Sequence, residues 1–141
     1  MKKEVILSIR GTQGYMGQEP ETLELVTEGY LETREDGFEI SYQETELTGL
    51  EGVTTHFLLQ PGVITLTRTG KLESQMIFRE GVRHESLYQM EFGALMIVVQ
   101  AQKIRHSLSE QGGTVDLTYA IEIENSAAGT VEYHLDIKAI K

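Results

Sequence analysis

Along most of the chain, apolar and polar residues alternate one by one, the period of a strand with one buried face. The clearest stretch is 113–125, GTVDLTYAIEIEN, where Val115, Leu117, Tyr119, Ile121 and Ile123 share one face and Asp116, Thr118, Glu122 and Glu124 share the other. Residues 131–139 repeat the pattern, with Val131, Tyr133, Leu135 and Ile137 set against Glu132, His134, Asp136 and Lys138. Less regular alternation marks 5–10, 22–34, 38–46, 53–60, 63–69, 71–79, 82–90 and 94–108, so the spacing predicts ten strands. In 94–108, Leu95, Ile97 and Val99 lie on one parity and Ile104 and Leu108 on the other. A switch near Ala101 predicts a bulge, or else burial on both faces.

The connections carry turn chemistry. Asp36-Gly37 suits a type I′ hairpin and Pro61-Gly62 a type II turn, while Gly70, Gly81 and Gly112-Gly113 punctuate elsewhere. Most are too short for the crossover helices that parallel strands need, so the sheet is expected to be antiparallel and largely up-and-down. About ten twisted strands seldom stay open, because free edges and an uncovered apolar face are both costly. The pattern therefore predicts an all-β fold, a closed barrel of about 8–10 strands, with a flattened barrel or sandwich bent at 94–108 as the other arrangement.

A chain of 141 residues suffices for one domain spanning 1–141, able to bury roughly two-thirds of its extended surface. With no Cys, disulfides and thiolate chemistry are excluded. Twelve Lys and Arg against 22 Asp and Glu give a formal charge of −10, which argues against nucleic acid as a partner. The longest apolar run, 94–99, has six residues where a membrane helix needs about 18, so no membrane partner is expected. The apolar stretch after Lys2 and Lys3 is too short for a leader and alternates like a strand, which points to the cytoplasm.

Candidate chemistry is sparse. Gly11, Gly14 and Gly17 form G-x-x-G-x-x-G, but Glu19 and Glu21 follow where a phosphate loop carries Lys and opens a helix; a flexible loop, or a lid over a barrel mouth, is the expectation. His56, His84, His106 and His134 stand singly, without ligand spacing, so no metal or other cofactor is expected. His134 reads as solvent-facing, whereas His106 shares parity with Ile104 and Leu108 and is expected to point inward. Glu44, Glu46, Glu122 and Glu124 read as outward solubility charges, and no serine-hydrolase motif is present. Arg68 follows Ile64 and Leu66 on one parity, but Val63 and the row Thr65, Thr67, Thr69 leave the inward face open, and Arg68 is expected as a solvated residue near a barrel rim. Tyr42, Tyr88, Tyr119 and Tyr133 fall on apolar faces, where rings pack and hydroxyls need partners.

The string FGALMIVVQAQKIRHSLSEQGGTVDLTYAIEIEN, with GKLESQMIFREG before it and VEYHLDIKAIK at the end, resembles the YwiB-like family of small Gram-positive bacterial proteins. The similarity runs from about Val5 to Ala139, and its clearest marks are Phe92-Gly93, Gly112-Gly113 and the strand with Tyr119. The resemblance implies a calycin or lipocalin-like antiparallel barrel and brings no activity, catalytic residue or cofactor with it. The ligands of better-known calycins do not carry over: the G-x-W of lipocalins is missing, and 11–21 is too short for two lid helices.

The resulting expectation is a non-enzymatic barrel holding a small, mainly apolar molecule in its lumen, with Tyr119, Tyr133, His106 and Arg68 as polar contributors. The charge of −10 favours a neutral or cationic guest over a polyanion. The alternatives are an interaction module or homodimer acting through its outer surface, where Val26 and Tyr30 interrupt an acidic face, and, behind it, an enzyme with a barrel-mouth site.

Overall fold

The alternation is realised as strands that curl into a nearly closed barrel. A computed structural model describes residues 2–14, 19, 21–45, 51–90, 93–124 and 126–140, with backbone alone at 88, 90, 127 and 128. Among these there are ten strands and no helix. The first five are β1 (Lys2–Gly14), β2 (Glu21–Arg34), β3 (Gly37–Gln43), β4 (Val53–Gln60) and β5 (Val63–Gly70). The second five are β6 (Ser74–Phe78), β7 (Arg83–Met90), β8 (Gly93–Ser109), β9 (Gly112–Ile123) and β10 (Ser126–Ala139).

The sheet order is β6-β5-β4-β3-β2-β1-β10-β9-β8-β7, every neighbouring pair antiparallel. This is an up-and-down meander in which the first and last strands pair, from Val5↔Ala139 to Gly14↔Thr130. The opening falls instead between two consecutive strands, β6 and β7. There the sides meet at single bridges, Glu73 with Gln89 through two backbone hydrogen bonds of 3.0 Å, and Glu80 with Ala101 of β8.

The period-two reading locates the ladders well, and the differences have physical causes. β1 extends beyond 5–10 in both directions because β2 and β10 flank it and hold even polar Lys3, Thr12 and Gln13 in register. β6 is shorter than 71–79, since Lys71 and Leu72 lie in the bend that leaves Gly70. The parity switch in β8 is a bulge: Ala101 pairs with Tyr119 and Lys103 with Thr118, leaving Gln102 as the extra residue. Val98 is also buried, at 4 % exposure between Ile97 and Val99, so burial on both faces occurs just before the bulge.

The inward rows show where the core sits. Leu31, Ile40, Phe57, Leu66 and Met76 are cross-strand partners in sequence and are all buried, a continuous apolar row over five strands. With Leu59, Ile64 and Phe78 below them, they fill the end of the barrel holding the β2–β3, β4–β5 and β8–β9 turns. Full burial of each such side chain contributes about 1.5–3 kcal/mol. The row above is Gly29, Tyr42, Thr55, Arg68 and Ser74, in which the register turns abruptly polar.

Candidate functional site

Tyr42 and Arg68 of that row line a cavity of about 490 Å³ in the upper half of the lumen, within the range of about 300–1,000 Å³ of small-molecule sites. Its floor is aromatic. Tyr119 packs on Phe78 with ring centroids 4.6 Å apart, Tyr133 meets Phe57 edge-on at 6.4 Å, and the two tyrosines lie nearly parallel at 6.4 Å. Phe57 and Phe78 come from the packed lower rows and so set the depth at which filling stops. Opposite Tyr133 in the β1–β10 ladder stands Gly11, where a side chain would press on the Tyr133 ring, a Cβ coming within 3.3 Å of it. Gly11, Gln13 and Glu21 rim the cavity. The remainder of the G-x-x-G-x-x-G segment, residues 15–18 and 20, lies outside the described residues.

On the β3–β5 wall, Glu44 is buried at 6 % exposure and accepts a hydrogen bond of 2.5 Å from the fully buried Thr55 hydroxyl. The Tyr42 hydroxyl bonds the same carboxylate. Burial, followed by the negative charge of Glu44, pushes the Tyr42 phenol well above its ordinary value, while the Arg68 guanidinium acts in the opposite sense. Arg68 is 7 % exposed and stands next to Thr55 in the ladder. The wall therefore presents the Glu44 carboxylate, the Arg68 guanidinium and the Tyr42 hydroxyl to the cavity, with Thr55 a fully buried donor to the carboxylate, a set suited to orienting a guest by hydrogen bonds.

Three of the four residues singled out from sequence, Tyr119, Tyr133 and Arg68, line this one cavity. Arg68 is buried and not a solvated rim residue, because its parity continues that of Ile64 and Leu66 on an inward strand. His106 is not among them. It is half-buried near the other end of the barrel, its Nε2 3.4 Å from the Gln60 carbonyl at the β4–β5 turn, in the row Ile9, Leu135, Val115, His106.

Glu44 is a correction in the other direction. Expected on an outward face, it shares the parity of Ile40 and Tyr42 and turns inward with them, the signal that would have found it. Glu46 lies outside the described residues, and so does the Tyr88 side chain. Two further carboxylates have structural tasks: Glu122 pairs with Arg83 at 2.5 Å, and Glu124 accepts the Met96 N–H at 3.0 Å. His134 faces outward and lies between Asp116 at 2.7 Å and Asp136 at 3.1 Å. Among the described residues, no three His, Asp or Glu side chains converge as a metal site, and no helix is long and apolar enough to cross a membrane.

No curated protein is detectably similar to the chain. Among solved structures it is similar to the YwiB protein from Bacillus subtilis, with a TM-score of 0.83 and 20 % identity, covering 96 % of this chain and 92 % of that one. At that identity the likeness establishes the fold: the YwiB barrel, as the strand pattern and the Phe92-Gly93 and Gly112-Gly113 marks led one to expect. The family model described as "Domain of unknown function (DUF1934)" matches residues 7–137, from the first core strand to the last, and the chain belongs to the DUF1934 family.

Proposed function

We propose that the protein is a non-enzymatic, cytoplasmic binder of a small, mainly apolar molecule that is neutral or cationic and lies in the upper lumen. One observation carries this reading: the barrel is only half filled. Large side chains pack its lower rows, whereas above Phe57 and Phe78 about 490 Å³ stays open between tyrosine rings and a few polar anchors. Catalysis has less support: the buried carboxylate is already engaged by Thr55 and Tyr42, and Thr55 is fully buried away from the cavity. The test is native mass spectrometry of protein purified from its own host, with Nile red titration of the stripped protein. A retained small molecule, and dye binding abolished by Met76→Trp, are the expected results; a protein that neither carries a molecule nor binds the dye rules the reading out.

A second reading has its own observation. Ile6, Val26 and Tyr30 project from the outer face of β1 and β2 at 41 %, 70 % and 46 % exposure. Apolar residues so placed among Glu4, Glu24, Glu28 and Glu32 favour a homodimer or another protein partner on this face. Light scattering across a wide concentration range tests it, and a mass fixed at one chain length excludes the dimer.

A further inference from the structure

Between the Glu73–Gln89 and Glu80–Ala101 bridges, β6 and β7 face each other without a ladder, unlike every other neighbouring pair. Glu73 and Gln89 exchange both their backbone hydrogen bonds, so strand alternation points the N–H and C=O of Gln75 and Ile77 toward β7 and those of Glu85 and Leu87 toward β6. Next to the apolar Met76 and Phe78 of β6, two lumen-facing side chains at this seam are polar. Ser74 is 8 % exposed and Ser86 half-buried, and the Oγ of each is buried without a hydrogen-bond partner among the described residues. Buried hydroxyls are rarely left so, because each forfeits its bonds to water and gains nothing in return. Both line an open slot along the seam, together with His84 and Gln89. Arg68 lines the slot and the lumen cavity alike, so the two spaces adjoin at its side chain.

We propose that this slot receives the polar head of the lumen guest, and that the head is uncharged and rich in hydroxyl or carbonyl oxygens, on an apolar body lying against the tyrosine floor. The inference rests on the lumen-binding reading and extends it to a ligand class, a neutral amphiphile. The slot supplies what such a head uses: two hydroxyls that donate and accept, strand-edge amides and carbonyls, and a guanidinium that donates to a carbonyl. It supplies little for an ion. The Arg68 charge is opposed by Glu44, both acting on Tyr42, while exposed Glu73 and Glu85 on the slot's rim and a net charge of −10 repel an anion. A cationic head would have to lie beside Arg68.

The test compares three amphiphiles with one twelve-carbon chain, glycerol monododecanoate, dodecanoate and dodecylamine, each below its micellar concentration, by displacement of Nile red and by calorimetry. The glycerol ester should bind about tenfold more tightly than either ion. Replacing both hydroxyls, Ser74→Ala with Ser86→Ala, should weaken the ester about 5- to 10-fold, the value of one or two modest hydrogen bonds, and leave Nile red affinity unchanged, which also reports an intact fold. Dodecanoate or dodecylamine binding as tightly as the ester, or a double variant that binds the ester like the parent, overturns the head-group assignment while the lumen reading stands. Failure of Nile red and all three amphiphiles to bind overturns both.

Discussion

A carboxylate enters a barrel lumen only in the company of donors, and Glu44 has two, the Thr55 hydroxyl at 2.5 Å and the Tyr42 phenol. Thr55→Val keeps the shape of the side chain and removes one donor, and should cost about 1–3 kcal/mol in urea unfolding with little change in slope. Tyr42 gives a pH signature. Its folded-state pKa is raised, so the folded protein holds the phenolic proton more tightly than the unfolded chain. The associated stability is complete below the unfolded value, near pH 10, and is lost as pH rises from there through the folded value. Ultraviolet titration of tyrosinate should show Tyr42 ionising only with alkaline unfolding, and Tyr42→Phe should remove that part of the alkaline loss. His134 shifts upward as well, chiefly through its hydrogen bond to Asp116. Its contribution is full below about pH 6.5 and fades as pH rises through the folded value. A proton NMR titration should place His134 above that figure in the parent and lower in Asp116→Asn. At this scale the sequence was legible for Tyr119 and Tyr133, while Arg68, expected as a solvated rim residue, is buried on the cavity wall. It misled for Glu44, since residue type suggests solvent while parity with Ile40 and Tyr42 dictates the lumen.

At the level of the strand, the device that matters most is the bulge in β8. Ala101 and Ile104 both face inward, three positions apart, because Gln102 is an unpaired extra residue. Deleting Gln102 leaves Ala101, Lys103 and Ile104 alternating correctly, so the fold should survive at a cost of about 1–2 kcal/mol, part of it from the contact between the Ile104 N–H and the Glu80 carboxylate. Deleting Arg105 instead turns His106 and Leu108 outward from the core and should cost about 3 kcal/mol or more. Guanidinium denaturation of the two deletion variants distinguishes the cases. The parity switch announced this bulge from sequence. Strand ends were less legible: β1 runs to Lys2 because β2 holds it there and to Gly14 because β10 does, and nothing in KKE or TQG by itself asks for a strand.

In the whole molecule, the unusual feature is the place of the opening. Pairing of β1 with β10 makes the first and last strands part of the continuous wall and leaves the incomplete join between β6 and β7. Native-state hydrogen exchange should therefore show the amides of Gln75, Ile77, Glu85 and Leu87 exchanging well ahead of those in β1, β9 and β10, by a factor of about 100 or more. Equal protection around the barrel would mean that the seam is laddered in solution. The net charge of −10 takes its place here too: Glu24, Glu28, Glu32 and Glu132 lie on the outer wall, where like charges keep strands of different molecules apart.

By itself, the order of residues determined the strands, their antiparallel sense, the bulge and the apolar face, because each follows from period two and from turn residues a few positions apart. Tertiary structure alone decided that the first and last strands pair, that the join at β6 and β7 stays unladdered, and that Tyr42, Glu44, Arg68, Tyr119 and Tyr133 enclose one space while His106 sits elsewhere. Those outcomes depend on register between strands distant in sequence and on where the packed rows end. Both are set by how side chains of all ten strands fill a common interior, which no local pattern records.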